Sequence, residues 1–171
     1  MKLTFDSFDT PIGDMTAVFC ADTLVHLDFS DCPRRVKRHL DGRFPGHEKT
    51  SKANPQQIRG RIGKYFNGHK DAFKDLKLDT GGTDFQQSVF CALQAIPHGK
   101  ILSYAELARD INKPKAVRAV GSANGHNPIA IIIPCHRVIG SNGSLTGFGG
   151  GLDAKRHLLA LEKDQIGLFA T

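Results

Sequence analysis

The chain contains no tryptophan, two tyrosines and four cysteines in 171 residues. Cys20, Cys32, Cys91 and Cys135 are widely spaced and form no Cys-x-x-Cys pair, which excludes a zinc ribbon and a dithiol redox motif. The longest wholly aliphatic run, residues 129–133, has five residues, far short of the roughly 20 that span a bilayer. Acidic residues interrupt the apolar positions of the first 30, so no secretory signal is visible, and four free thiols are the expectation. Low-complexity tracts and solenoid repeats are absent as well. These absences leave a soluble, cytoplasmic protein with no membrane association as the expectation.

What is present begins with charge. The net charge is +6 and the sequence pI about 9.3, a balance that favours polyanionic partners such as nucleic acid. Residues 34–70 are the most polarised stretch, with eleven basic side chains against Asp41 and Glu48.

Residues 1–29 read as short strands. Leu3 and Phe5 alternate with polar neighbours, Thr10-Pro11-Ile12-Gly13-Asp14 is a turn, and 15–19 and 24–29 look extended. These predict a small antiparallel sheet. Residues 34–40 and 56–66 have helical spacing, the second with Ile58, Ile62 and Tyr65/Phe66 on one stripe. Thr80-Gly81-Gly82-Thr83 is the best boundary, giving domains 1–80 and 81–171.

Beyond it, Thr83 can cap a helix that begins near Asp84, with Phe85, Val89, Leu93 and Ile96 spaced by threes and fours. Ser103 followed by Glu106 reads as a capping box for a second helix. Asn112-Lys113-Pro114 is a short turn, and 115–123 a third helix opened by Pro114. Helix, turn, helix is a DNA-reader layout. Around Arg118 this third helix carries Ala116, Ala119, Gly121, Ser122 and Ala123, all small. That pattern fits either tight helix packing or close approach to another backbone with Arg118 as a probe.

The apolar run 129–133 reads as a buried strand, and Pro134, Cys135, His136 and Arg137 follow it directly. A rigidly held cysteine beside cationic groups has a more accessible thiolate, although a buried structural cysteine is the commoner occurrence. Adjacent residues point apart, so His136 would reach the sulfur through water, with Glu162 on the last helix as the carboxylate that orients it. The loop 140–151 contains six glycines, yet it matches neither a phosphate-binding loop nor a dinucleotide fingerprint. It would suit close backbone approach to a planar ligand, or a mobile flap.

Pro134-Cys135-His136-Arg137-Val138, preceded by Asn127-Pro128 and followed by Gly150-Gly151 and Glu162, resembles the O6-alkylguanine-DNA alkyltransferase family, in its short Ogt-type form. Ordered agreement runs from Gly81-Gly82-Thr83 through Ser103-Tyr104 and Arg118-Ala119-Val120-Gly121 to Glu162, about half the chain. The first half agrees mainly at Thr10-Pro11-Ile12-Gly13.

The resemblance implies an α+β protein, with a small ribonuclease H-like N-terminal α/β domain and a mostly helical, winged helix-turn-helix-like C-terminal domain. It implies irreversible, single-turnover transfer of an alkyl group from O6-alkylguanine, with O4-alkylthymine left open, to Cys135. Cys135, His136, Glu162 and Tyr104 would be catalytic, and Arg118, Ala119, Gly121 and Ser103 would bind DNA through the minor groove. Arg118 would fill the place of the flipped nucleotide. Asn127, Pro134, Arg137, Val138, Phe148, Gly149 and Gly150 would line the base pocket.

No cofactor, metal or obligate protein partner is implied, and the protein would act as a monomer, with cooperative binding along DNA left open. Cys20 and His26 fall near two zinc positions of some relatives, but no cysteine precedes Cys20. Phe148 stands where the family usually has tyrosine, Gly149 where serine or alanine is common, and His157 where tryptophan is usual; these imply altered rates or inhibitor sensitivity. Rival readings are a non-catalytic lesion-binding relative, which would lack the reactive cysteine, a Cys-His hydrolase, and a helix-turn-helix transcription factor.

Overall fold

The computed structural model describes residues 1–51 and 54–169, with side chains up to Asp164. The fold is α+β, and two compact units divide the chain, Met1–Gly81 and Gly82–Thr171.

In the first unit, β1 (Lys2–Phe8) turns at Thr10 and Gly13 into β2 (Met15–Cys20), which pairs with β3 (Thr23–Phe29). Gly13 makes that turn with φ +123°, a conformation an L side chain would strain. Residues 24–29 are buried throughout, the pattern of a strand covered on both faces. Next comes α1 (Pro33–Arg43), with Pro33 in its first turn, where a missing N–H costs nothing. It buries Leu40 in a core with Leu3, Val18 and Val25. After β4 (Glu48–Ser51) and a 3₁₀ turn at Pro55–Gln57, α2 (Ile58–Phe66) buries the expected stripe of Ile58, Ile62 and Tyr65.

The three expected strands pair antiparallel, and a fourth that the sequence did not announce joins them. The sheet order is β3-β2-β1-β4, and β4 lies parallel to β1. Glu-Lys-Thr-Ser offers no apolar alternation, so its strand character comes from the partner ladder, with the Thr50 hydroxyl donating to the Leu3 carbonyl at 3.2 Å.

The second unit opens with α3 (Asp84–Gln94), capped by a reciprocal Thr83–Gln86 box. A turn leads to β5 (Leu102–Ser103) and α4 (Tyr104–Asp110), where Ser103 and Glu106 form the second box. The turn after α4 takes up Pro114, so α5 spans Val117–Gly125 and the expected start at 115 is two residues early. Ala116 N donates back to Lys113 O at 2.9 Å, closing that turn before the helix can begin. Residues 129–133 are likewise no strand. They form a tight buried turn, with Ile132 N bonded to Ala130 O at 2.8 Å and Ile131 at φ +70°. An apolar run signals burial, and here the backbone closes on itself instead of extending. Cys135–Arg137 follow as a 3₁₀ turn, then β6 (Val138–Ile139) pairs parallel to β5, and α6 (Leu152–Phe169) ends the described chain.

Candidate active site

A β-branched residue in the left-handed region is strained, so Ile131 must be held in place, and Asn127 supplies part of the hold. Its amide donates to Ile133 O at 2.7 Å and its carbonyl accepts from Ile129 N at 3.0 Å. Both ends of one buried side chain thus staple the turn that presents Pro134 and Cys135.

The other wall is α6, which buries Ala154, Lys155, Leu158 and Glu162. Lys155 and Glu162, seven residues apart, share that helical face. Glu162 accepts from His136 Nε2 at 2.8 Å, Arg137 Nε at 2.8 Å, Arg137 Nη2 at 2.9 Å and Gly99 N at 3.2 Å, and His98 Nδ1 lies 3.9 Å from it. Arg137 also donates to Ile96 O at 2.6 Å, tying this site to the end of α3. Burial pushes the Glu162 carboxyl up, but the bonds from His136 and Arg137 outweigh it and hold the group well below the ordinary carboxylate range. Burial lowers the His136 pKa, opposed by Glu162.

These directions fix the imidazole's tautomer. An ionised Glu162 only accepts, so a neutral His136 carries its proton on Nε2 and its lone pair on Nδ1. Nδ1 is buried and has no hydrogen-bond partner among the described residues. The ring next to Cys135 therefore presents a base, and the charged pair behind it is positioned to stabilise an imidazolium. Cys135 itself is 6% exposed.

Lys155 was not visible as a site residue in the sequence. Its side chain is fully buried, and Nζ donates to Val138 O at 2.6 Å and Thr146 O at 3.0 Å. Burial lowers its pKa, opposed by an electrostatic interaction with Cys135. The available signal was the spacing of 155 and 162 on α6, legible only once the buried face of that helix is known.

Tyr104 opens α4, its ring lying against Gly121 of α5, where an added Cβ would meet it at 3.8 Å. Its hydroxyl donates to Thr146 O at 3.2 Å. Phe148 packs edge-on to His136 with ring centres 6.4 Å apart, and Phe148, Gly149 and Gly150 are half-buried. Pro134 and Val138 are buried. On α5, Arg118 and Ala119 are exposed and Gly121 half-buried. Ser103 is half-buried, and its hydroxyl accepts from Glu106 N at 3.2 Å. The fold thus joins His136, Arg137 and Glu162 in one hydrogen-bonded network, with Cys135 N and the Asn127 amide sharing Ile133 O, while Arg118 and Ala119 stand on the helix surface.

Among the described residues no group of three or more His, Cys, Asp or Glu is arranged to hold a metal. No described helix is long and apolar enough to cross a membrane.

Family models for 6-O-methylguanine DNA methyltransferase match both parts of the chain, the ribonuclease-like domain over residues 3–80 and the DNA-binding domain over 84–164. A Haemophilus influenzae methylated-DNA–protein-cysteine methyltransferase is 42% identical, covering 94% of this chain and 87% of that protein. A Methanosarcina barkeri protein of the same name is 44% identical over 95% and 98%. A crystal structure of Mycobacterium tuberculosis OGT in complex with DNA superposes with a TM-score of 0.81 at 42% identity, covering 95% of this chain and 94% of that one.

Proposed function

The chain belongs to the 6-O-methylguanine DNA methyltransferase family, and on that premise we propose that it repairs DNA by transferring the alkyl group of O6-alkylguanine to the sulfur of its own Cys135. The observation that carries the reading is the buried His136–Glu162–Arg137 network, which leaves a lone pair on Nδ1 of the residue that follows Cys135 in sequence.

The Cys135 proton passes through a bridging water to His136 Nδ1, and Glu162 stabilises the imidazolium that results. Lys155, with its positive charge near the sulfur, favours the thiolate. The sulfur attacks the alkyl carbon, a C–S bond forms as the C–O6 bond breaks, and the electron pair stays with the guanine. A hydrogen bond from Tyr104 neutralises charge on the departing base. Asn127 and Arg137 hold the reactive segment, Pro134 and Phe148 give apolar walls, and the backbone at Val138, Gly149 and Gly150 frames the base. No group here reverses S-alkylation, so each molecule acts once.

A sulfur this buried cannot reach O6 inside a duplex, so the nucleotide is flipped out at a cost of about a few kcal/mol. Arg118, exposed on α5, fills the gap from the minor groove, with Ala119 and Gly121 allowing close approach and Ser103 at the rim. The protein acts as a monomer, in the cytoplasm, within reach of chromosomal DNA.

Incubation with a duplex containing O6-methylguanine, followed by peptide mass mapping, is expected to show one methyl on Cys135 and at most one per protein. Repeated turnover would overturn the reading in favour of a hydrolase, and binding without transfer would overturn it in favour of a lesion-binding module. Arg118→Ala is expected to slow transfer from duplex more than from the free base.

A further inference from the structure

The turn between α3 and β5 is bound to the buried network from two sides. Arg137 donates to Ile96 O at 2.6 Å, and Gly99 N donates to Glu162 Oε2 at 3.2 Å. Gly99 takes φ +76°, and Lys100 N closes the turn on Pro97 O at 3.0 Å. Between these ties stands His98, its side chain only 10% exposed, with Nδ1 3.9 Å from Glu162 Oε1. The proposed chemistry gives this second histidine no task.

Its distance decides what it can do. A carboxylate has about four lone-pair sites, and His136 Nε2, Arg137 Nη2, Arg137 Nε and Gly99 N all donate to this one. At 3.9 Å His98 Nδ1 is too far from Oε1 for a hydrogen bond, yet within reach of an ion pair. Its influence on Glu162 is therefore carried by charge, and it changes when the ring takes a proton.

The other charges around Glu162 set the sign. Burial works against a charged His136, Glu162 works for it, and Arg137 and Lys155 oppose it. A protonated His98 adds a third cation to the opposing side. It meets Glu162 at Oε1, the oxygen that also accepts from His136 Nε2. An imidazolium at His136 is then less well stabilised, and Cys135 gives up its proton less readily. Lys100, Lys163 and Asp164 are exposed, where water and salt screen them.

The geometry points to His98 as a positioning residue for alkyl transfer, acting through Glu162. Neutral, it leaves the Glu162–His136 pair at full strength as a base; protonated, it shares the Glu162 charge and holds the proton on Cys135. The inference rests on the alkyl-transfer reading and adds to it the group that shapes its acid limb.

Iodoacetamide alkylation of Cys135 in the full chain, followed by peptide mass mapping, reads the thiolate without DNA. It is measured from about pH 8 to about pH 5.5, the range in which a histidine ordinarily titrates, for the unmodified protein and for His98→Gln. Glutamine keeps a polar side chain and takes no proton. The ratio of variant to unmodified rate is expected to rise by about threefold or more towards the acid end, the effect of about half a pKa unit at His136. Lys155, Arg137 and Glu162 are common to both proteins and divide out of that ratio. A ratio that stays constant with pH, whatever its value, overturns the inference, because a merely structural role for His98 gives that result.

Should His98→Gln not fold, nitrogen-15 shifts of the imidazoles in the unmodified protein give a second reading. The His136 ring nitrogens are expected to shift over the same pH range in which His98 takes its proton, and a His136 signal unmoved there overturns the inference. Absence of methyl on Cys135 after incubation with an O6-methylguanine duplex would instead defeat the alkyl-transfer reading, independently of either titration.

Discussion

His26 shows what a single residue can set. It is 2% exposed, both ring nitrogens lack hydrogen-bond partners among the described residues, and the His39 ring lies 5.2 Å away. Burial, then the charges of His39, Arg35 and Arg43, lower its pKa to about 3, and burial with Arg43 lowers His39 to about 4. Both are neutral in the fold, while in the unfolded chain each takes a proton near pH 6.5. Below that pH the unfolded state binds more protons, so stability falls as pH drops from about 6.5 towards 3. His26→Leu should flatten this fall, as chemical denaturation at a series of pH values would show; an unchanged slope would remove His26 as the cause. At this scale the sequence was readable where chemistry is local, as at Cys135 and His136. Lys155 escaped because burial of a cation depends on which face of α6 turns inward.

Elements were legible where their own side chains settle the backbone. Thr83 and Ser103 each bond the N–H three residues on, so two helix starts could be read directly. β4 could not, because its ladder depends on β1, 46 residues away across the Thr4–Thr50 pair. The 129–133 turn could not either, since hydrophobicity gives depth and leaves direction open. Ser103 carries a prediction here because it was expected to contact DNA while its hydroxyl caps α4. Ser103→Ala should cost about 1 kcal/mol of stability. Ser103→Asp should restore the cap, yet weaken duplex binding by placing an anion near phosphates. Thermal melts and binding isotherms separate the two effects, and unimpaired DNA affinity in Ser103→Asp would confine this residue to capping.

For the whole molecule, the net charge of +6 is the governing quantity. Each phosphate that the protein neutralises should contribute about −0.9 to the slope of log affinity against log salt. Binding to undamaged duplex should therefore weaken steeply between 50 and 200 mM salt, by roughly tenfold for two contacts and more for additional ones. A titration that is flat over this range would leave the basic surface without a role in association.

If each molecule acts once, as proposed, it spends most of its existence waiting, so slow chemical ageing matters to it. Asparagine side chains age when the next residue's backbone nitrogen attacks them and closes a ring. The nitrogen after Asn127 belongs to Pro128, which has no hydrogen to give up. The staple under the reactive turn is thereby spared, whereas Asn142, exposed and followed by Gly143, has no such protection.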